Sequence, residues 1–184
     1  MQFLPIEESI NFLIRLSSLG PAAIKYLLKC FLLSSSSNFT KFLNESFFAY
    51  KDIKKNTTSE ALNKSSLCLA LIDLDDFKGV NDTTSYEFGD LVLRTFSEVL
   101  RKCIRTIDIP ARIGGDEFAV LLPATTLEEG VNVASRIRAL AERTESADAS
   151  FSARISVSLG LSEFSGEGIE DPSAFFLQAN QALK

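Results

Sequence analysis

Leu67-Cys68-Leu69-Ala70-Leu71-Ile72-Asp73-Leu74-Asp75-Asp76-Phe77-Lys78 is the stretch on which the fold turns. The apolar run from Leu67 to Ile72 is too short to cross a bilayer and fits a strand covered on both sheet faces. It runs straight into carboxylates, which are costly to desolvate at the end of a buried strand unless paired or bound to a cation. Asp73 and Asp75, two apart, share one side of an extended chain; Asp76 does not.

Working outward, Asn81-Asp82-Thr83-Thr84 precedes a helical segment from about Ser85 or Asp90 to Arg105, with Val92, Phe96, Val99 and Cys103 on one stripe. Arg112-Ile113-Gly114-Gly115-Asp116-Glu117-Phe118 then reads as a hairpin, the glycine pair supplying a permissive turn and Phe118 to Leu122 another buried strand. Thr125 and Glu128 fit a capping box for a helix with Val131, Ala134, Arg138 and Ala141 on one side. Arg154 to Leu159 reads as a final core strand. Asp171-Pro172 starts a last helix that buries Phe175, Phe176, Ala179 and Leu183.

The order strand, helix, hairpin, helix, strand, helix lets the first strand and the second hairpin strand lie side by side in an antiparallel sheet. Asp73 and Asp116 would then converge. With the backbone carbonyl of Leu74 they make an all-oxygen set suited to Mg²⁺ and to phosphoryl or nucleotidyl transfer. Solvated turn carboxylates remain the plain alternative.

The 184-residue chain is long enough for a real core, and 46% hydrophobic residues rule out wholesale disorder. Residues 1–60 sum to +2 and residues 61–184 to −7, which argues against a broad basic surface for nucleic acid. The absence of histidine excludes His metal sites, His general bases and His-dependent triads. Cys30, Cys68 and Cys103 lack CxxC spacing, so a reducing compartment and buried thiols are expected. No transmembrane or signal segment is legible, which predicts a cytoplasmic protein without membrane insertion.

Upstream, Pro5, Glu7 and Glu8 favour a helix start, with Ile6, Ile10, Leu13 and Ile14 on one face and Gly20-Pro21 as its end. Further helices are expected over 22–33 and 40–56, broken by Ser34 to Ser37. Residues 1–33 are thus expected to be a helical appendage that packs on the core or, alternatively, pairs protomers or relays a signal, and 34–184 the main domain.

Arg112 to Phe118 resembles the signature of the GGDEF family, the diguanylate cyclase domain. Asp73 to Lys78 with Asn81-Asp82, and Gly89-Asp90, join it at family-like separation, and the resemblance runs from about Phe31 to Lys184. It implies an α/β (α+β), palm-like domain with a ferredoxin-like, nucleotidyl-cyclase-like core, a central mostly antiparallel sheet flanked by helices. It further implies a homodimer in which two GTP molecules become cyclic di-GMP with release of two pyrophosphates. Asp73, the Leu74 carbonyl and Asp116 would hold Mg²⁺, with Mn²⁺ as a substitute, and Glu117 would position or deprotonate the 3′-hydroxyl. Asn81 and Asp90 would read guanine, while Phe77 and Lys78 would support the triphosphate. Gly114 and Gly115 would leave no Cβ against the nucleotide. Arg105-Thr106-Ile107-Asp108 matches the family's RxxD motif, so Arg105 and Asp108, with Arg112, would bind cyclic di-GMP and inhibit.

Departures from the pattern bear on activity. Ser85-Tyr86 stands where the family has Gly-His, Asn38-Phe39-Thr40-Lys41-Phe42 lacks the usual arginines, and the sequence reaches Lys184 before the family's downstream cations. A second function therefore stays open: a catalytically weak or inactive receptor for cyclic di-GMP.

Overall fold

The structure is a computed structural model that describes residues 66–165 and 171–184. The helices expected over 22–33 and 40–56, the boundary at 33/34 and Cys30 lie outside the described residues.

β1 (Leu67–Leu74) is buried along almost its whole length because it lies inside the sheet and is covered on both faces. After it come α1 (Phe77–Thr83), α2 (Tyr86–Cys103), β2 (Ile109–Arg112), β3 (Glu117–Pro123), α3 (Leu127–Glu142), β4 (Glu145–Ala147), β5 (Ser152–Arg154), β6 (Val157–Phe164) and α4 (Pro172–Leu183). The main sheet has the order β2-β3-β1-β6, with every neighbouring pair antiparallel. The expected adjacency of the first strand and the second hairpin strand is present. β4 and β5 form a separate two-stranded ladder that the sequence pattern does not announce.

Strand alternation divides the core. Cys68, Ala70, Ile72 and Leu74 face a cluster with Phe88, Phe96 and Ile137 from α2 and α3. Leu67, Leu69 and Leu71 face Phe164, Phe175 and Ala179, under α4. Phe96 of α2 meets Phe118 of β3 edge-on, with ring centroids 5.0 Å apart, which ties the hairpin to the helical layer. This is an α/β fold with an antiparallel sheet between helices, as expected. Among the described residues no helix is long and apolar enough to cross a membrane.

Four expectations shift. The capping box belongs to Thr126 and Glu129: the Thr126 N–H donates to Glu129 Oε2 at 2.9 Å, and the Glu129 N–H to Thr126 Oγ1 at 3.3 Å. Thr125 is buried, and its hydroxyl is already engaged by the Pro123 carbonyl and Arg105. α3 buries Gly130, Ala134, Ile137 and Ala141, whereas Val131 and Arg138 face outward, Arg138 beside Glu142 at 3.2 Å. The segment Arg154–Leu159 divides between β5 and β6, because the Ser156 carbonyl turns to accept the Asp75 N–H at 3.0 Å. At the last helix, Phe175 and Ala179 are buried, while Phe176 and Leu183 are only partly covered.

Candidate active site

The carboxylates gather where β1 leaves the sheet. Asp73 stands opposite Glu117 in the β1–β3 register, and the Leu74 N–H donates to the Asp116 carbonyl at 3.2 Å. The antiparallel ladder thus delivers the end of β1 and the start of β3 to one point. Burial, and then the charges of Asp116, Glu117 and Asp75, hold the Asp73 carboxyl above the usual range for aspartate.

Asp75 is turned aside. Its carboxylate accepts from Ser156 Oγ at 2.5 Å and Ser158 Oγ at 2.7 Å, which ties it to the start of β6. Asp76 starts α1 in the left-handed region, at φ 54°, a conformation that aspartate tolerates better than most residues. Phe77 and Lys78 occupy the first turn of α1, where backbone N–H groups have no acceptor inside the helix.

α1 packs on α2 through a missing side chain. A Cβ on Gly89 would collide with Asn81 Oδ1, so glycine there lets Asn81 lie against α2 next to Asp90. The two residues assigned to guanine are therefore neighbours in space. Ser85 caps α2 by accepting from the Phe88 N–H at 3.2 Å, and Tyr86 follows with 81% of its surface exposed.

The β2–β3 turn corrects one expectation. Neither Gly114 nor Gly115 has a left-handed φ, so the turn does not depend on glycine's conformational freedom. A Cβ at Gly114 would strike the Glu117 carboxylate, whereas one at Gly115 would meet nothing within 4 Å.

Arg105 and Asp108 form a second, separate cluster. Arg105 Nη2 lies 2.7 Å from Asp108 Oδ1, and the Arg105 backbone N–H donates to Asp108 Oδ2, also at 2.7 Å. The same guanidinium donates to the Pro123 carbonyl at 3.1 Å and to Thr125 Oγ1 at 2.7 Å. The Asp108 side chain is fully covered and that of Arg105 half exposed, which matches an RxxD-like motif locked as a buried ion pair. The hydrogen bonds to Asp108 hold the Arg105 guanidinium protonated even more firmly than usual.

Arg112 does not join this pair. It sits opposite Phe118 at the turn end of the hairpin, while Arg105 touches Pro123, five residues along β3, or about 17 Å at the rise of a strand. The arginine beside the Arg105 loop is instead Arg136 of α3, whose Nε donates to the Cys103 carbonyl at 3.1 Å. Sequence spacing gave no sign of Arg136, because it approaches from another element. Cys68 and Cys103 are buried free thiols; burial, with the Glu163 charge second, pushes Cys68 up to about 12 and keeps it unreactive.

The fit of the first cluster to a metal can be judged from its donors. Among the described residues no basic side chain forms an ion pair with Asp73, Asp116 or Glu117. No group of three or more His, Cys, Asp or Glu side chains arranged for a metal occurs among the described residues either. What this end of the sheet offers is oxygen donors in crowded negative charge around Asp73, a setting whose chemistry suits a hard dication.

Fold and site together define an α/β domain that brings carboxylates to the ends of central antiparallel strands. Residues 37–184 match the family model described as "Diguanylate cyclase, GGDEF domain", and the chain belongs to the GGDEF family. It is 37% identical over 115 residues to the response regulator PleD of Caulobacter vibrioides, covering 61% of this chain and 25% of that protein. It is 42% identical over 117 residues to diguanylate cyclase DgcP of Pseudomonas aeruginosa, covering 64% of this chain and 17% of that one. The chain thus spans a quarter or less of these relatives. Among solved structures, the GGDEF domain of DgcB from Caulobacter crescentus in complex with c-di-GMP matches with a TM-score of 0.68 and 25% identity, covering 80% of this chain and 79% of that one.

Proposed function

We propose that this domain is a diguanylate cyclase, condensing two GTP into cyclic di-GMP and two pyrophosphates. The observation that carries this reading is the meeting of β1 and β3, which sets Asp73 opposite Glu117 and Leu74 against Asp116. Asp73, the Leu74 carbonyl and Asp116 would hold Mg²⁺ or Mn²⁺, which neutralises triphosphate charge and lowers the pKa of a bound hydroxyl. The chain's own residues do the rest. Asn81 offers guanine both a donor and an acceptor, and Asp90 accepts from its N1 and N2 hydrogens. Backbone N–H groups at Phe77 and Lys78, with the Lys78 charge, support the phosphates.

Glu117 takes the proton of one GTP's 3′-hydroxyl. That oxygen bonds to the α-phosphorus of the other GTP, whose bond to the β-phosphate oxygen breaks, and pyrophosphate leaves. The same exchange in the opposite sense closes the ring. One protomer presents half of the reactants, so a homodimer is required, and alignment of the two nucleotides supplies much of the rate. Arg105 and Asp108 are the product-binding pair; for Asp108 to reach guanine, the Arg105 guanidinium must first release it.

Incubation with GTP and Mg²⁺ followed by nucleotide chromatography tests the reading. Cyclic di-GMP should form with the wild-type chain and disappear with Asp116→Ala. A second reading, a receptor that binds cyclic di-GMP without turnover, draws on Tyr86, whose exposed ring follows the cap of α2 near Asn81 and Asp90. Tight dinucleotide binding with no product from GTP would select it.

A further inference from the structure

β1 ends at Leu74, and the peptide that follows is held from both sides. The Leu74 N–H donates to the Asp116 carbonyl at 3.2 Å, on the side of β3, and the Asp75 N–H donates to the Ser156 carbonyl at 3.0 Å, on the side of β6. In a trans peptide the C=O points opposite to the N–H, and no described peptide bond is cis. The Leu74 carbonyl therefore points away from β6, toward the entry to β3 where Asp116 stands. An antiparallel pair that bonds completely exchanges two N–H···O bonds. Here one is missing: among the described residues, the Asp116 N–H does not return to the Leu74 carbonyl.

What keeps the Leu74–Asp75 peptide in this plane comes from the other side. Ser156 takes the Asp75 N–H on its carbonyl and gives its own hydroxyl to Asp75 Oδ2 at 2.5 Å, while Ser158 Oγ donates to Oδ1 at 2.7 Å. Both carboxylate oxygens are thus engaged, by charge-assisted bonds of the stronger kind. β1 is already paired with β6 from Leu67 to Leu74, so three further bonds on one exposed residue are not needed to join the strands. What they do fix is the direction of one carbonyl.

We propose that Ser156 and Ser158 are positioning residues: acting through Asp75, they fix the Leu74–Asp75 peptide plane and aim the Leu74 carbonyl at the Asp73–Asp116 end of the sheet. Asp75 is then a brace and not a third ligand. Atoms that bind a metal depend on such outer groups for their direction. The orientation of the peptide stands on its hydrogen bonds; that the carbonyl serves a divalent cation rests on the cyclase reading.

Mn²⁺ uptake by the full chain, followed through the free-ion electron paramagnetic resonance signal, tests this without turnover. Ser156→Ala combined with Ser158→Ala should weaken uptake on the order of tenfold, the usual effect of removing groups that orient a metal ligand. Ser156→Thr combined with Ser158→Thr keeps both hydroxyls and should restore wild-type affinity, whereas a role in strand packing alone would not track the hydroxyl. If the alanine pair does not fold, Ser158→Ala alone carries the test and should still weaken uptake. Wild-type affinity in the folded alanine variants, no gain from threonine over alanine, or no Mn²⁺ uptake by the unsubstituted chain would overturn the proposal. A chain with hydroxyl-dependent uptake that makes no cyclic di-GMP keeps the brace and loses the cyclase reading. A chain that makes cyclic di-GMP while its alanine variant binds Mn²⁺ like wild type does the reverse.

Discussion

At Asp73, function and stability pull in opposite directions. Burial and three neighbouring carboxylates raise its pKa, so the folded state holds that proton to higher pH than the unfolded chain does. The charged form therefore destabilises the metal-free fold at neutral pH, and the cost disappears as pH falls through the raised value and then the unfolded one. Asp73→Asn should raise the melting temperature at pH 7 by roughly 2–4 °C, the size of a change of about 1 kcal/mol in a domain of this length. Melting curves followed toward acid should converge with wild type; a gap that widens on acidification would contradict this account. Tyr86, exposed over most of its ring, belongs to the opposite class: Tyr86→Ala should leave stability within about 0.5 kcal/mol, as surface changes do, so any altered nucleotide affinity reports on binding.

The elements owe their positions to local chemistry that can be removed one piece at a time. Thr126→Ala should cost about 1 kcal/mol in denaturant unfolding by opening the α3 capping box. Thr125→Ala should cost about 1–3 kcal/mol, because it strips a buried hydroxyl from the Arg105 network. A Thr126→Ala variant that unfolds at the wild-type denaturant concentration would contradict the assignment of the cap to Thr126. Much of this level is legible in the sequence. The continuous apolar run of β1, the Asp171-Pro172 start of α4 and the stripe of α2 each carry an unambiguous local signal. The α3 face is not legible in the same way, since Gly130 adds nothing to an apolar pattern yet sits in the buried stripe. β4 and β5 escape for a related reason: strands of three residues leave no room for a period to show.

In the whole molecule, the main-sheet order joins residues 43 positions apart, Asp73 and Asp116, and this convergence follows from the strand–hairpin order visible in the sequence. What the sequence could not show is which side chains meet: Asp75 bonded to Ser156 and to Ser158 of β6, Arg136 reaching back to α2, and Arg112 committed to its own turn. A site divided between protomers also has a concentration signature. The rate of cyclic di-GMP formation per chain should rise with protein concentration wherever the dimer is partly dissociated, and a constant rate per chain through dissociation would contradict a shared site. The most direct test of the central claim is Mn²⁺ binding to the whole chain, followed by loss of the free-ion electron paramagnetic resonance signal. Wild-type protein should take up the ion, and Asp73→Asn and Asp116→Asn should each weaken uptake by at least an order of magnitude while remaining folded. Undiminished uptake in both folded variants would show that the two aspartates do not share a cation.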